Sequence, residues 1–122
     1  MAENKLKLKP IEEQTIVITG ATSGIGLATA EMAAKRGAKV VLSSRNAEDL
    51  QQITERLTSA GCRVLGVPAD VTKKADLEKL AEAAIATFGQ IDTWVNNAGV
   101  SIYGALLDLP EEEERALFDT NF

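Results

Sequence analysis

The feature that most constrains this chain is a turn. Residues Thr15-Ile16-Val17-Ile18-Thr19 form a short apolar run of strand-favouring residues. The next seven, Gly20-Ala21-Thr22-Ser23-Gly24-Ile25-Gly26, hold three glycines ahead of a helical stretch that closes at Gly37. A strand that turns sharply into a helix needs a residue tolerant of positive φ at its exit, which suits Gly20. Gly24 leaves backbone N–H groups open to a pyrophosphate, and Gly26 lets the helix lie close on the sheet with its N-terminus aimed at the anion. The glycines fall at 20, 24 and 26, so the spacing is not G-x-G-x-x-G. Taken alone, the same residues also make an ordinary strand-turn-helix.

The alternation continues down the chain. Lys39–Ser43 reads as a second strand, followed by Asn46 as an N-cap with Asp49 three residues on, then Leu50, Ile53 and Leu57 at helical spacing until Gly61. Arg63–Val67 reads as a third strand. Thr72 is placed to cap a helix running to Phe88, buried by Leu77, Leu80, Ala81, Ala84 and Ile85 and ended by Gly89. A fourth strand, Ile91–Val95, leads into Asn96-Asn97-Ala98-Gly99, and Pro110 with Glu111–Glu114 suits the start of a further helix. Strands and helices alternating at these lengths predict parallel strands joined by right-handed crossovers, a doubly wound α/β domain with helices on both faces. Residues 1–14 are expected as an N-terminal arm and 15–122 as a partial domain. A parallel sheet that stops at Val95 leaves an apolar edge uncovered, so the expectation is half of a larger sheet, truncated after about four strands.

Composition narrows the chemistry. Among 122 residues there is no His and one Cys, Cys62, which removes Ser-His-Asp catalysis, His or Cys zinc sites and an intramolecular disulfide. With 13 Lys plus Arg against 18 Asp plus Glu, the net charge of −5 opposes nucleic-acid binding, which depends on a basic face. No apolar run approaches the ~18 residues that span a bilayer, and Met1–Pro10 has three lysines and no apolar signal core. The expected compartment is the cytoplasm. Cys62 reads as a small apolar residue and Trp94 as a core residue.

A dinucleotide fold chooses its adenosine ribose partner at the end of the second strand, an acid for the 2′-OH of NAD or a cation for the 2′-phosphate of NADP. Here the residues are Ser43-Ser44-Arg45-Asn46, with no carboxylate before Glu48. Arg45 therefore reads as a fork for phosphate oxygens, with the Ser44 hydroxyl as a second donor; the alternative is a solvated Arg beside a helix cap. After the third strand, the Asp70 carboxylate is placed to accept from an adenine amino group while the Val71 N–H donates to the ring; Asp70 and Thr72 also suit a plain turn and cap.

The glycine turn at 19–26, Asp70-Val71, Asn96-Asn97-Ala98-Gly99 and Phe118-Asp119-Thr120-Asn121-Phe122 resemble, in order and spacing, the N-terminal half of the short-chain dehydrogenase/reductases. The resemblance implies a Rossmann-type fold and hydride transfer between a nicotinamide cofactor and a small carbonyl or alcohol substrate. By it, Gly20, Thr22, Ser23, Gly24, Ile25 and Gly26 hold the pyrophosphate, and Ser44 and Arg45 select NADP, with NAD as the alternative. Asp70 and Val71 take the adenine. Asn97 braces the sheet, and Ala98 and Gly99 pass under the nicotinamide ribose. Asn121 matches the Asn of the family's Asn-Ser-Tyr-Lys tetrad, where it holds a water in a proton relay. The parent protein is expected to be a homo-oligomer.

The sequence departs from the family in one respect. The lone Tyr, Tyr103, has Leu107 four residues on, and no Lys follows Lys79, so neither Tyr-x-x-x-Lys nor its partner Ser is present. Tyr103 is rejected as the catalytic acid, because a phenol with pKa near 10 needs an adjacent cation to give up its proton near neutrality. Two readings stay open: the cofactor-binding half of an NADP-dependent oxidoreductase, or a nucleotide-binding or interaction module without turnover.

Overall fold

The computed structural model describes residues 9–97. The expectations for Ala98, Gly99, Tyr103, the helix near Pro110 and Asn121 lie outside the described residues.

Four strands form one parallel sheet: β1 (Thr15–Thr19), β2 (Lys39–Ser44), β3 (Arg63–Pro68) and β4 (Thr93–Val95), in the order β3-β2-β1-β4. Three helices join them: α1 (Gly24–Lys35), α2 (Ala47–Ser59) and α3 (Lys74–Phe88). The order follows from the crossovers. β1 sits between β2 (Ile16 against Val40) and β4 (Ile16 against Thr93), and both of its edges are spent on hydrogen bonds.

Successive strand residues point to opposite faces, and here both faces are covered, the arrangement in which parallel strands read as continuous apolar runs. On one side Ile16, Ile18, Val40 and Leu42 pack with Ala30, Ala33 and Ala34 of α1 and Leu50 and Leu57 of α2. On the other, Val17, Val41 and Trp94 pack with Leu80 and Ala84 of α3. The alanines of α1 leave little side chain between helix and sheet, which brings the start of α1 close to the strand ends. Gly37, Gly61 and Gly89 close the three helices, each at positive φ. Asn46 caps α2, its Oδ1 accepting from Asp49 N–H at 3.1 Å.

Five expectations are corrected. Thr72 does not cap α3: its hydroxyl donates to Asp70 Oδ1 at 2.6 Å, and the helix starts two residues later with Lys73 at the cap position. Ile85 is not buried but 52% exposed, because it falls at the rim of a stripe centred on Leu80 and Ala84. β4 is shorter than Ile91–Val95: Asp92 N–H donates to Thr15 O at 2.9 Å, but the return bond from Thr15 N–H goes to the Asp92 side chain, Oδ2, at 2.8 Å. β2 and β3 each run one residue further than expected, to Ser44 and Pro68.

Lys9–Gln14, read as part of an arm, is fastened to the bottom of the sheet. Ile11–Glu13 forms one 3-10 turn, Lys9 Nζ pairs with Asp92 Oδ1 at 2.9 Å, and Gln14 accepts from the Thr93 hydroxyl at 2.8 Å.

Candidate functional site

Because the strands are parallel, the loops that leave their C-terminal ends gather along one edge of the sheet, where open α/β sheets bind ligands. Backbone bonds lace these loops together. Ala21 N–H donates to Ser43 O at 3.0 Å, and Ala69 N–H to Ser44 O at 3.1 Å. The buried hydroxyl of Thr19 donates to Asn96 Oδ1 at 3.0 Å and accepts from Asn97 N–H at 3.1 Å. Asn97 Nδ2 reaches Gly20 O at 3.4 Å.

Within the glycine turn, Gly20 and Gly24 have φ of 62° and 57°, in the region that favours glycine. A Cβ on Gly26 would lie 2.1 Å from Gly20 O and 2.5 Å from Asn97 Nδ2, so α1 packs here as only glycine allows. A Cβ on Gly24 meets nothing within 4 Å among the described residues. Ser23 stands in the cap position without a side-chain cap, and the N–H groups of Gly24, Ile25 and Gly26 have no acceptor among the described residues. Donors without an acceptor among the described residues, at the positive end of a helix, fit an anionic group. Ile25 projects beside them, 77% exposed.

At the end of β2, Ser44 Oγ accepts from Asn46 N–H at 3.1 Å and shares a hydrogen bond with Thr22 Oγ1 at 3.1 Å. The glycine turn and the end of β2 are thus joined through two hydroxyls. Arg45 is exposed and makes no ion pair among the described residues. Beside it, Asp70 Oδ1 accepts from the Thr72 hydroxyl at 2.6 Å and from Thr72 N–H at 3.0 Å. Those two bonds, with lesser help from the charges of Arg45 and Lys73, hold the Asp70 carboxyl below its usual pKa despite some loss of solvent. Oδ2 of Asp70 and the N–H of Val71 have no partner among the described residues.

The structure therefore brings Gly20, Thr22, Ser23, Gly24, Ile25, Gly26, Ser44, Arg45, Asp70, Val71 and Asn97 to the same edge. Two residues at this edge escaped sequence reasoning: Thr19, whose polar side chain at the buried end of an apolar strand was the available signal, and Asp76, treated below. No cluster of His, Cys, Asp or Glu among the described residues is arranged for a metal, and none of their helices is long and apolar enough to cross a membrane.

Residues 14–122 match the family model of the short chain dehydrogenases. An uncharacterized oxidoreductase of Bacillus subtilis, YxnA, is 53% identical over 120 residues, covering 98% of this chain and 34% of the relative. Among solved structures, glucose dehydrogenase of Caenorhabditis elegans in its apo form superimposes with a TM-score of 0.72 at 38% identity, covering 91% of this chain and 49% of that one. A short chain dehydrogenase/reductase from Burkholderia phymatum, in complex with NAD, gives 0.69 at 37% identity, covering 71% of this chain and 31% of that one. The matched regions cover 31% to 49% of the length of these relatives. With the family model spanning the glycine turn, the four strands and the three helices described above, the chain belongs to the short-chain dehydrogenase/reductase family.

Proposed function

We propose that the protein is an NADP-dependent oxidoreductase that interconverts a small carbonyl compound and an alcohol by hydride transfer, and that this chain is its cofactor-binding half. Residues 15–122 are then part of the dinucleotide-binding domain, with 1–14 as its N-terminal arm. The observation that carries the reading is the row of N–H donors at the start of α1 that have no acceptor among the described residues, with Ser44, Arg45 and Asp70 placed along the same edge.

Each residue has a physical task. The N–H groups of Gly24–Gly26 hold the pyrophosphate, and the Arg45 guanidinium pairs with the 2′-phosphate. Ser44 offers a hydroxyl where a carboxylate would repel that phosphate. Asp70 Oδ2 and Val71 N–H take the adenine. Asn97, tied to Thr19 and Gly20, fixes the loop that leads to Ala98 and Gly99 under the nicotinamide ribose. The nicotinamide, when bound, supplies or accepts the hydride. Asn121 holds a water in the proton relay. The final proton donor is not among these 122 residues, so the chain alone is inactive and the parent protein, a cytoplasmic homo-oligomer, completes the site.

Calorimetric titration of the protein with NADPH and NADH tests this. Tighter binding of NADPH is the expected outcome. Equal affinities remove the NADP assignment, and failure of the folded protein to bind either cofactor removes the whole reading. Binding by the complete protein without turnover of any carbonyl or alcohol favours a nucleotide-binding module instead.

A further inference from the structure

Asp70 sits where its polar atoms are almost fully spent. Its carbonyl accepts from Lys73 N–H at 2.9 Å, and Oδ1 takes both the hydroxyl and the N–H of Thr72. Its own N–H donates to Asp76 Oδ2 at 2.8 Å, six residues on in the first turn of α3. One acceptor, Oδ2, is left without a partner among the described residues, as is the N–H of the following residue, Val71.

We infer that Asp76 is a positioning residue for base recognition: by holding the Asp70 N–H it fixes the 70–71 backbone so that Asp70 Oδ2 and Val71 N–H present one acceptor and one donor together. This rests on the dinucleotide reading above and adds a residue to it. The bond fits the local chemistry. A carboxylate in the first turn of a helix is favoured by the helix dipole, and reaching back to an N–H ahead of the helix is the reciprocal half of a capping box. The ordinary use of that reach is the N–H of the cap residue itself. Here the cap residue is Lys73, and the carboxylate bypasses it for a residue three positions earlier. Thr72, the residue type suited to capping, is diverted to Asp70 as well. The start of α3 thus spends two side chains on the conformation of one carboxylate.

An acceptor beside a donor matches the amino group and N1 of adenine and mismatches hypoxanthine, which presents a carbonyl and an N–H at the same positions. The test compares NADPH with its hypoxanthine analogue on the full protein. Wild type is expected to prefer adenine by roughly tenfold or more, the worth of one well-made hydrogen bond and one avoided mismatch. Asp76→Ala, which lets the 70–71 backbone relax, reduces that preference to about two- to threefold. Asp76→Asn keeps an acceptor for Asp70 N–H and restores most of it. A preference unchanged in Asp76→Ala, or lost equally in Asp76→Asn, overturns the inference while leaving dinucleotide binding intact. A wild type that binds NADPH with no base preference overturns the inference together with the adenine role of Asp70. No binding at all overturns the dinucleotide reading and this inference with it.

Discussion

At the scale of single residues, the site depends on groups whose replacement has separable effects. In the NADP reading proposed above, removing the Arg45 guanidinium takes away one charge-assisted contact to the 2′-phosphate. Arg45→Ala should therefore weaken NADPH by roughly 1.5–3 kcal/mol and leave NADH nearly untouched, as paired titrations will show; equal losses for the two cofactors refute the assignment. Gly26→Ala acts by another route. Its Cβ would stand 2.1 Å from a backbone oxygen that no rotamer can move, so α1 must shift off β1. Loss of thermal stability and of binding to both cofactors is expected, and a variant with the wild-type melting temperature contradicts this account of the turn. The turn glycines were legible in the sequence because close approach and positive φ exclude every other residue type. The Asp76–Asp70 and Thr19–Asn97 bonds were not. Which distant N–H a carboxylate or hydroxyl meets depends on how the strands are stacked, and spacing alone does not encode that.

At the scale of elements, the ends of the helices decide most outcomes. Asn46→Ala deletes the acceptor for Asp49 N–H and should lower stability by about 1 kcal/mol, read from chemical denaturation; no change would mean that solvent caps α2 equally well. The clasp between β1 and β4 is electrostatic. Partial burial works to raise the Asp92 pKa, but the Thr15 N–H, Lys9 and Gln90 outweigh it, so the carboxyl lies below its ordinary 3.8. A depressed pKa in the folded state means that the unfolded chain takes up the proton first. The stabilisation is thus complete above the ordinary value and fades as pH falls from 3.8 through the folded value. Asp92→Asn should flatten that part of the stability profile in denaturation series run down through this window, and an identical acid limb in the variant excludes the clasp as its source. Helix closure at Gly37, Gly61 and Gly89 could be read from the sequence, since a run of good helix formers stops there at a residue free to take positive φ. The start of α3 could not. Thr72 has the right residue type for a cap, but the carboxylate two residues before it competes for its hydroxyl and wins, at 2.6 Å.

For the whole molecule, the alternation of apolar runs and helical stretches was enough to give a parallel sheet covered on both faces, because no other packing hides strands that are apolar on both sides. The position of β4 beside β1 needed the fold itself: its three-residue ladder is too short to announce a partner. That placement has a consequence for how the protein is made. The β3-β2-β1 ladder can pair once Pro68 has left the ribosome, but the other side of β1 waits for Thr93–Val95. At ~5–20 residues per second the interval lasts a few seconds. Throughout it, Ile16, Val17 and Ile18 form an apolar border strand with a row of open hydrogen-bonding groups, the surface on which nascent chains pair with the wrong neighbour. A strand that is interior in the finished sheet is thus a border strand of the unfinished one until a distant segment of three residues arrives beside it.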